Sequence, residues 1–146
     1  MPFFHDQSRA DLRRMYLDAW RKHRDGRLLE PLEDQLVRVI TDHPEDQPTV
    51  EMDQAAVERD YLPEGGQTNP FLHMGLHLAI REQVSTDRPR GITAVHAALS
   101  NRFGPHDAEH RMIECLGDAL WQSQRSGTPP DESAYLESLR NLVGRR

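Results

Sequence analysis

Residues Asn69 to Ile80 read NPFLHMGLHLAI, and after the first two residues every position except two histidines is apolar or glycine. A helix that is apolar on nearly every side is usually buried on nearly every side. We therefore predict a central helix over about residues 70–85, with Asn69 as its N-cap and Pro70 in its first turn. His73 and His77 lie in this helix, four residues apart and on one face.

The segments around this stretch show the apolar spacing of amphipathic helices, and none alternates with a period of two. The sequence therefore predicts an all-α protein: one domain over residues 1–146, built as a bundle of five to six helices around the central apolar helix. The flanking helices are expected from Ser8 to about Asp25, from Pro31 to His43, from Gly91 to Gly104, from Pro105 to about Arg125, and onward from an Asp131 cap, with a weaker piece from Val50 to Arg59.

Composition and charge limit the classes of function. The chain has 146 residues, 36% of them hydrophobic, a net charge of -6 and one cysteine; its pI is about 5.7 and its mean hydropathy is -0.77. An acidic domain does not favour nucleic acid or an anionic membrane as partner, and a lone cysteine fits a reducing compartment. The N-terminal residues lack the apolar core of a signal peptide, and no run approaches the roughly 20 apolar residues of a membrane span.

We predict a cytoplasmic protein without a membrane partner. A homo-oligomer is compatible with this sequence, and no protein partner can be named.

A second histidine stripe, His106, His110 and Glu114, repeats the four-residue spacing on a later helix. Side chains at i and i+4 have Cβ atoms roughly 5–6 Å apart, which lets two imidazoles bind one ion from one helix. Two facing helices could therefore form a site for a divalent metal, either zinc, iron, manganese or nickel. The predicted ligands are His73, His77, His106, His110 and Glu114.

The other histidines and the cysteine carry weaker signals. We expect His5, His23 and His43 on the surface and His96 packed at the edge of an apolar face. Cys115 lies roughly 140° around its helix from His110, so the pair does not form a nucleophile and its base.

Two alternatives remain open at this stage. In the first, the histidines are structural, with His73 bonded to a carboxylate such as Glu109, and the protein is a non-enzymatic interaction module. Its surface could then be the basic first helix, with Arg13, Arg14, Arg21, Lys22 and Arg24. In the second, residues 91–120 form a helix-turn-helix for DNA. Asp107 and Glu109 at the start of its recognition helix would repel phosphate, which disfavours this alternative.

Three segments carry a resemblance to a known family: RRMYLDAWRKHR (residues 13–24), DYLPEGGQTNPFLHMGLHLAIREQ (60–83) and EHRMIECLGDALW (109–121). On these the chain resembles a small bacterial family of uncharacterised proteins, domain of unknown function family 1841. That resemblance implies an all-helical cytoplasmic protein and no particular chemistry. At motif level only, H-x-x-x-H beside H-x-x-x-E is similar to the ligands of hemerythrin-like bundles and, more loosely, of DinB-type metal-binding bundles, which implies metal binding without an activity.

Overall fold

The computed structural model describes residues 4–51 and 69–144, and regular structure within these ranges is entirely helical. The chain is divided into two compact units, residues 1–75 and residues 76–146. The α-helices in the described ranges are α1 (Phe4–Arg24), α2 (Pro31–Asp42), α3 (Gln47–Val50), α4 (Pro70–Thr86), α5 (Ile92–Phe103), α6 (Pro105–Ser126) and α7 (Glu132–Gly144), and a 3₁₀ turn, Pro44–Asp46, precedes α3.

The all-α class is confirmed for the described residues, which contain seven α-helices where five or six were expected. The additional helix is the four-residue α3. The first helix, α1, begins at Phe4, so Ser8 lies inside it and is not its N-cap. Once a helix is nucleated each added residue extends it at little cost, which explains the earlier start. The piece expected over residues 50–59 lies almost wholly outside the described residues. The single domain and the central place of α4 stay predictions.

Gly26 ends α1 as predicted. Its φ of +70° is left-handed, and its N–H donates to the carbonyl of His23 while the next N–H donates to that of Lys22. These two bonds form the Schellman motif, in which glycine avoids the steric cost that a Cβ would bring.

The first unit is built on the packing of α1 against α2, with α3 against α1. Apolar side chains at helical spacing on α1 and α2 are buried, as is Val50 on α3. The ring of Phe71 meets the ring of Tyr16 edge to face, with centroids 5.7 Å apart. The buried residues of α1 and α2 are Tyr16, Leu17, Ala19, Trp20, Leu36, Val37, Val39 and Ile40.

The basic face of α1 is not uniformly solvated. Arg13 is buried, and its guanidinium carbon lies 5.2 Å from the centroid of the Phe71 ring. An arginine can bury its stem and stack its planar cation on an aromatic face. Arg13 is therefore a packing residue and does not belong to an exposed basic surface.

The second unit packs α5, α6 and α7 against one another around a core to which α4 contributes Ile80. The other buried members of this core are Ile92, Val95, Leu99, Ala108, Met112, Leu116, Tyr135 and Leu139. Within the described ranges, every helix is too short or too polar to cross a membrane.

Replacing a fully buried residue of this core tests the packing. Leu139 is completely buried, so Leu139→Ala should lower the free energy of unfolding by about 2–5 kcal/mol through lost apolar burial and the cavity left behind. Leu120 is 40% exposed, and Leu120→Ala should cost about 1 kcal/mol or less. Urea denaturation followed by circular dichroism measures both, and equal losses would contradict this assignment of the core.

Candidate metal centre

The N-terminus of α4, the helix that carries His73 and His77, is capped by a side chain. The Asn69 side-chain oxygen accepts hydrogen bonds from the backbone N–H groups of Phe71, at 3.0 Å, and Leu72, at 3.1 Å. The predicted N-cap is thus confirmed, and Pro70 is the first helical residue. Because α4 is continuous from Pro70 to Thr86, His73 and His77 lie one turn apart on the same face.

In the first unit, His73 lies beside a histidine that was expected on the surface. His43, at the C-terminal end of α2, is fully buried, so that expectation is wrong. The ring centroids of His43 and His73 are 4.9 Å apart. Nδ1 of His43 lies 2.7 Å from the carbonyl oxygen of Val39, and Nδ1 of His73 lies 3.1 Å from Oδ2 of Asp46, a buried residue of the 3₁₀ turn.

In the second unit, His77 is fully buried and Glu109 is 8% exposed. Nδ1 of His77 is hydrogen-bonded to Oε1 of Glu109. The same carboxylate accepts from Arg81, whose Nε lies 3.0 Å from Oε2 and whose Nη2 lies 3.0 Å from Oε1. Burial alone would raise the pKa of Glu109, but the hydrogen bonds from His77 and Arg81 and the positive charge of Arg81 lower it to about 2. Glu109 is therefore an acceptor at neutral pH.

Two histidines of α6 lie against His77. The ring centroids of His77 and His110 are 4.7 Å apart and nearly perpendicular. His106 is exposed, and its ring centroid lies 4.4 Å from that of His110 and 6.4 Å from that of His77. His106 and His110 of the α6 stripe therefore lie beside His77 of α4, a contact that the spacing alone left open.

In the second unit, three histidines therefore lie together: His77 on α4, and His106 and His110 on α6. Imidazole nitrogen is the commonest protein ligand for transition metals. A group of three imidazoles beside an ionised carboxylate is a donor set that suits a metal ion.

Of the predicted ligands, His77, His106 and His110 lie together in the second unit, in which Glu114 is exposed. His73 lies in the first unit, beside His43 and Asp46. The carboxylates near the histidines are Asp46 and Glu109, which bond to the ring nitrogens.

Sequence reasoning missed His43 because it has no histidine four residues away and precedes a proline that ends its helix. The apolar residues Val39 and Ile40 just before His43 could have indicated its burial. A short turn that follows a buried helix face can keep its first side chain in the protein core. His96 lies elsewhere, with its Nε2 3.4 Å from the hydroxyl of Ser100.

The N-cap that begins α4 can be tested without reference to any ion. Asn69→Ala removes the acceptor for two backbone N–H groups, and it should lower the free energy of unfolding by about 1 kcal/mol. Asn69→Asp keeps an acceptor at the same place and should cost much less. Urea denaturation compares the two variants, and equal losses would argue against a capping role.

Comparison with known proteins identifies a family but no activity. No curated protein and no solved structure shows significant similarity to this chain. One family model does match, over residues 8–141, and its description is Domain of unknown function (DUF1841). The match includes the buried histidines His43 and His77 and the two carboxylates that bond to histidine rings, Asp46 and Glu109. The chain therefore belongs to the DUF1841 family.

Proposed function

We propose that this protein binds a divalent transition-metal ion in its second unit, through His77 of α4 and through His106 and His110 of α6. The observation that carries the proposal is the closeness of the three rings, whose centroids lie 4.4, 4.7 and 6.4 Å apart. Bonds of roughly 2.0–2.1 Å in a tetrahedral site place ligand nitrogens about 3.4 Å apart. Rings this close can each turn one nitrogen toward a single ion.

The hydrogen bond on the opposite edge of the His77 ring supports this proposal. The ionised carboxylate of Glu109 only accepts, so Nδ1 of His77 carries the proton. The lone pair of the His77 ring is then on Nε2. A metal-binding histidine typically donates its other N–H to a carbonyl or carboxylate in this way, which fixes the ring and makes it a stronger ligand.

The chemistry of the donors narrows the choice of ion. Imidazole ligands suit zinc, iron and nickel, whereas magnesium, calcium and manganese prefer oxygen ligands. Of the four ions predicted from the sequence, we therefore favour zinc, iron or nickel over manganese. Three protein ligands leave the fourth position of a tetrahedral zinc ion open to water or a small ligand.

Metal content and thermal stability test the proposal. Protein purified without a metal-affinity column should contain close to one transition-metal ion per chain by plasma mass spectrometry. After chelation, adding zinc at 100 times its Kd should stabilise the fold by about 2.7 kcal/mol, a rise of roughly 5–11 °C in Tm. The absence of stoichiometric metal together with an unchanged Tm for zinc, iron and nickel would refute the proposal.

Histidine variants locate the site. His77→Ala and His110→Ala should each abolish stoichiometric binding. His110 is less buried than His77, so at least the His110 variant should keep its helical circular dichroism. His23→Ala is the matched control, because His23 is exposed on α1 and outside the group. Equal zinc affinity in His110→Ala and His23→Ala would place the ion elsewhere.

A further inference from the structure

Glu109 is a buried carboxylate that packing alone does not require. It lies on the first turns of α6, among the buried residues Ala108 and Met112, and is 8% exposed. A carboxylate in such a place costs free energy unless charge and hydrogen bonds compensate it. An apolar side chain of similar size would fill the space without that cost.

Arg81 holds the carboxylate in one orientation. Its Nε and Nη2 each lie 3.0 Å from a different carboxylate oxygen, a two-point contact between planar groups. Such a bidentate pair fixes direction as well as distance. Glu109 is thereby prevented from turning toward solvent, and Oε1 is held against Nδ1 of His77.

Arg81 and His77 are four residues apart on α4, so one turn of helix presents both donors to one carboxylate. His77 is fully buried, and its ring also meets that of His110 on α6. The orientation of the His77 ring is therefore set from its Nδ1 edge, opposite the edge that carries the lone pair.

We infer that Glu109, oriented by Arg81, is a positioning residue of the metal site that holds His77 as the Nδ1–H tautomer with Nε2 as the ligand atom. This inference rests on the proposed function, because it assigns a role within that site. It also explains why an acidic residue lies in the core of α6 while the exposed Glu114 of the same helix is outside the ligand group.

Zinc affinity of carboxylate variants tests the inference. Glu109→Ala should weaken zinc binding by about 10–100-fold, the usual effect of removing a partner that orients a metal-binding histidine. Glu109→Gln retains an acceptor of the same shape and should recover much of that loss, and it remains informative if the alanine variant does not fold. Asp118→Ala, which removes an exposed carboxylate from α6, is the matched control and should bind zinc as the wild type does.

Nitrogen NMR of the imidazole provides a readout that loss of packing alone would not change. In zinc-bound wild type, long-range proton-nitrogen correlations should show the His77 Nδ1 protonated and Nε2 bound to the ion. In Glu109→Ala the two tautomers should mix or the ligand nitrogen should change.

The outcomes separate the two proposals. If the wild type binds no zinc, iron or nickel, the proposed function fails and this inference falls with it. If the wild type binds zinc and Glu109→Ala binds it equally well with an unchanged His77 spectrum, only the inference about Glu109 is overturned. A loss of affinity in Glu114→Ala but not in Glu109→Ala would overturn it in favour of Glu114 as a ligand.

Discussion

A buried imidazole must use both of its nitrogens, because one donates a hydrogen bond and the other accepts one. His43 and His77 are fully buried, and each gives its Nδ1 proton to a fixed acceptor, the Val39 carbonyl or the Glu109 carboxylate. The acceptor nitrogen of each ring is then Nε2. In the second unit this makes Nε2 of His77 the candidate ligand atom, and the candidate centre depends on this constraint.

Each of two histidines gives its Nδ1 edge to a carboxylate: His73 to Asp46 in the first unit, and His77 to Glu109 in the second. In the proposed site of the second unit, Glu109 would offset the charge of an ion without binding it directly. Arg81 holds the Glu109 carboxylate in place. Histidines oriented in this way favour a metal with a preference for nitrogen.

The contacts of His73 and His77 bear on the alternative in which the histidines are structural. His73 does have a carboxylate partner, but it is Asp46 and not Glu109, which bonds to His77. The basic surface that was to serve this alternative is also reduced, since Arg13 is buried against Phe71.

The sequence by itself determined the helices and the spacing along each of them. Proline and glycine positions marked where most of the helices begin and end, the Asn69 and Asp131 caps were read correctly, and the four-residue intervals singled out His73, His77 and His110. These signals are local, since one helical turn relates the residues involved. Only tertiary structure decided that His43 is buried beside His73, that Asp46 and Glu109 face ring nitrogens, and that Glu114 is exposed. The hydrogen-bonded pairs are 27 and 32 residues apart, and helical periodicity cannot say which faces of distant helices meet.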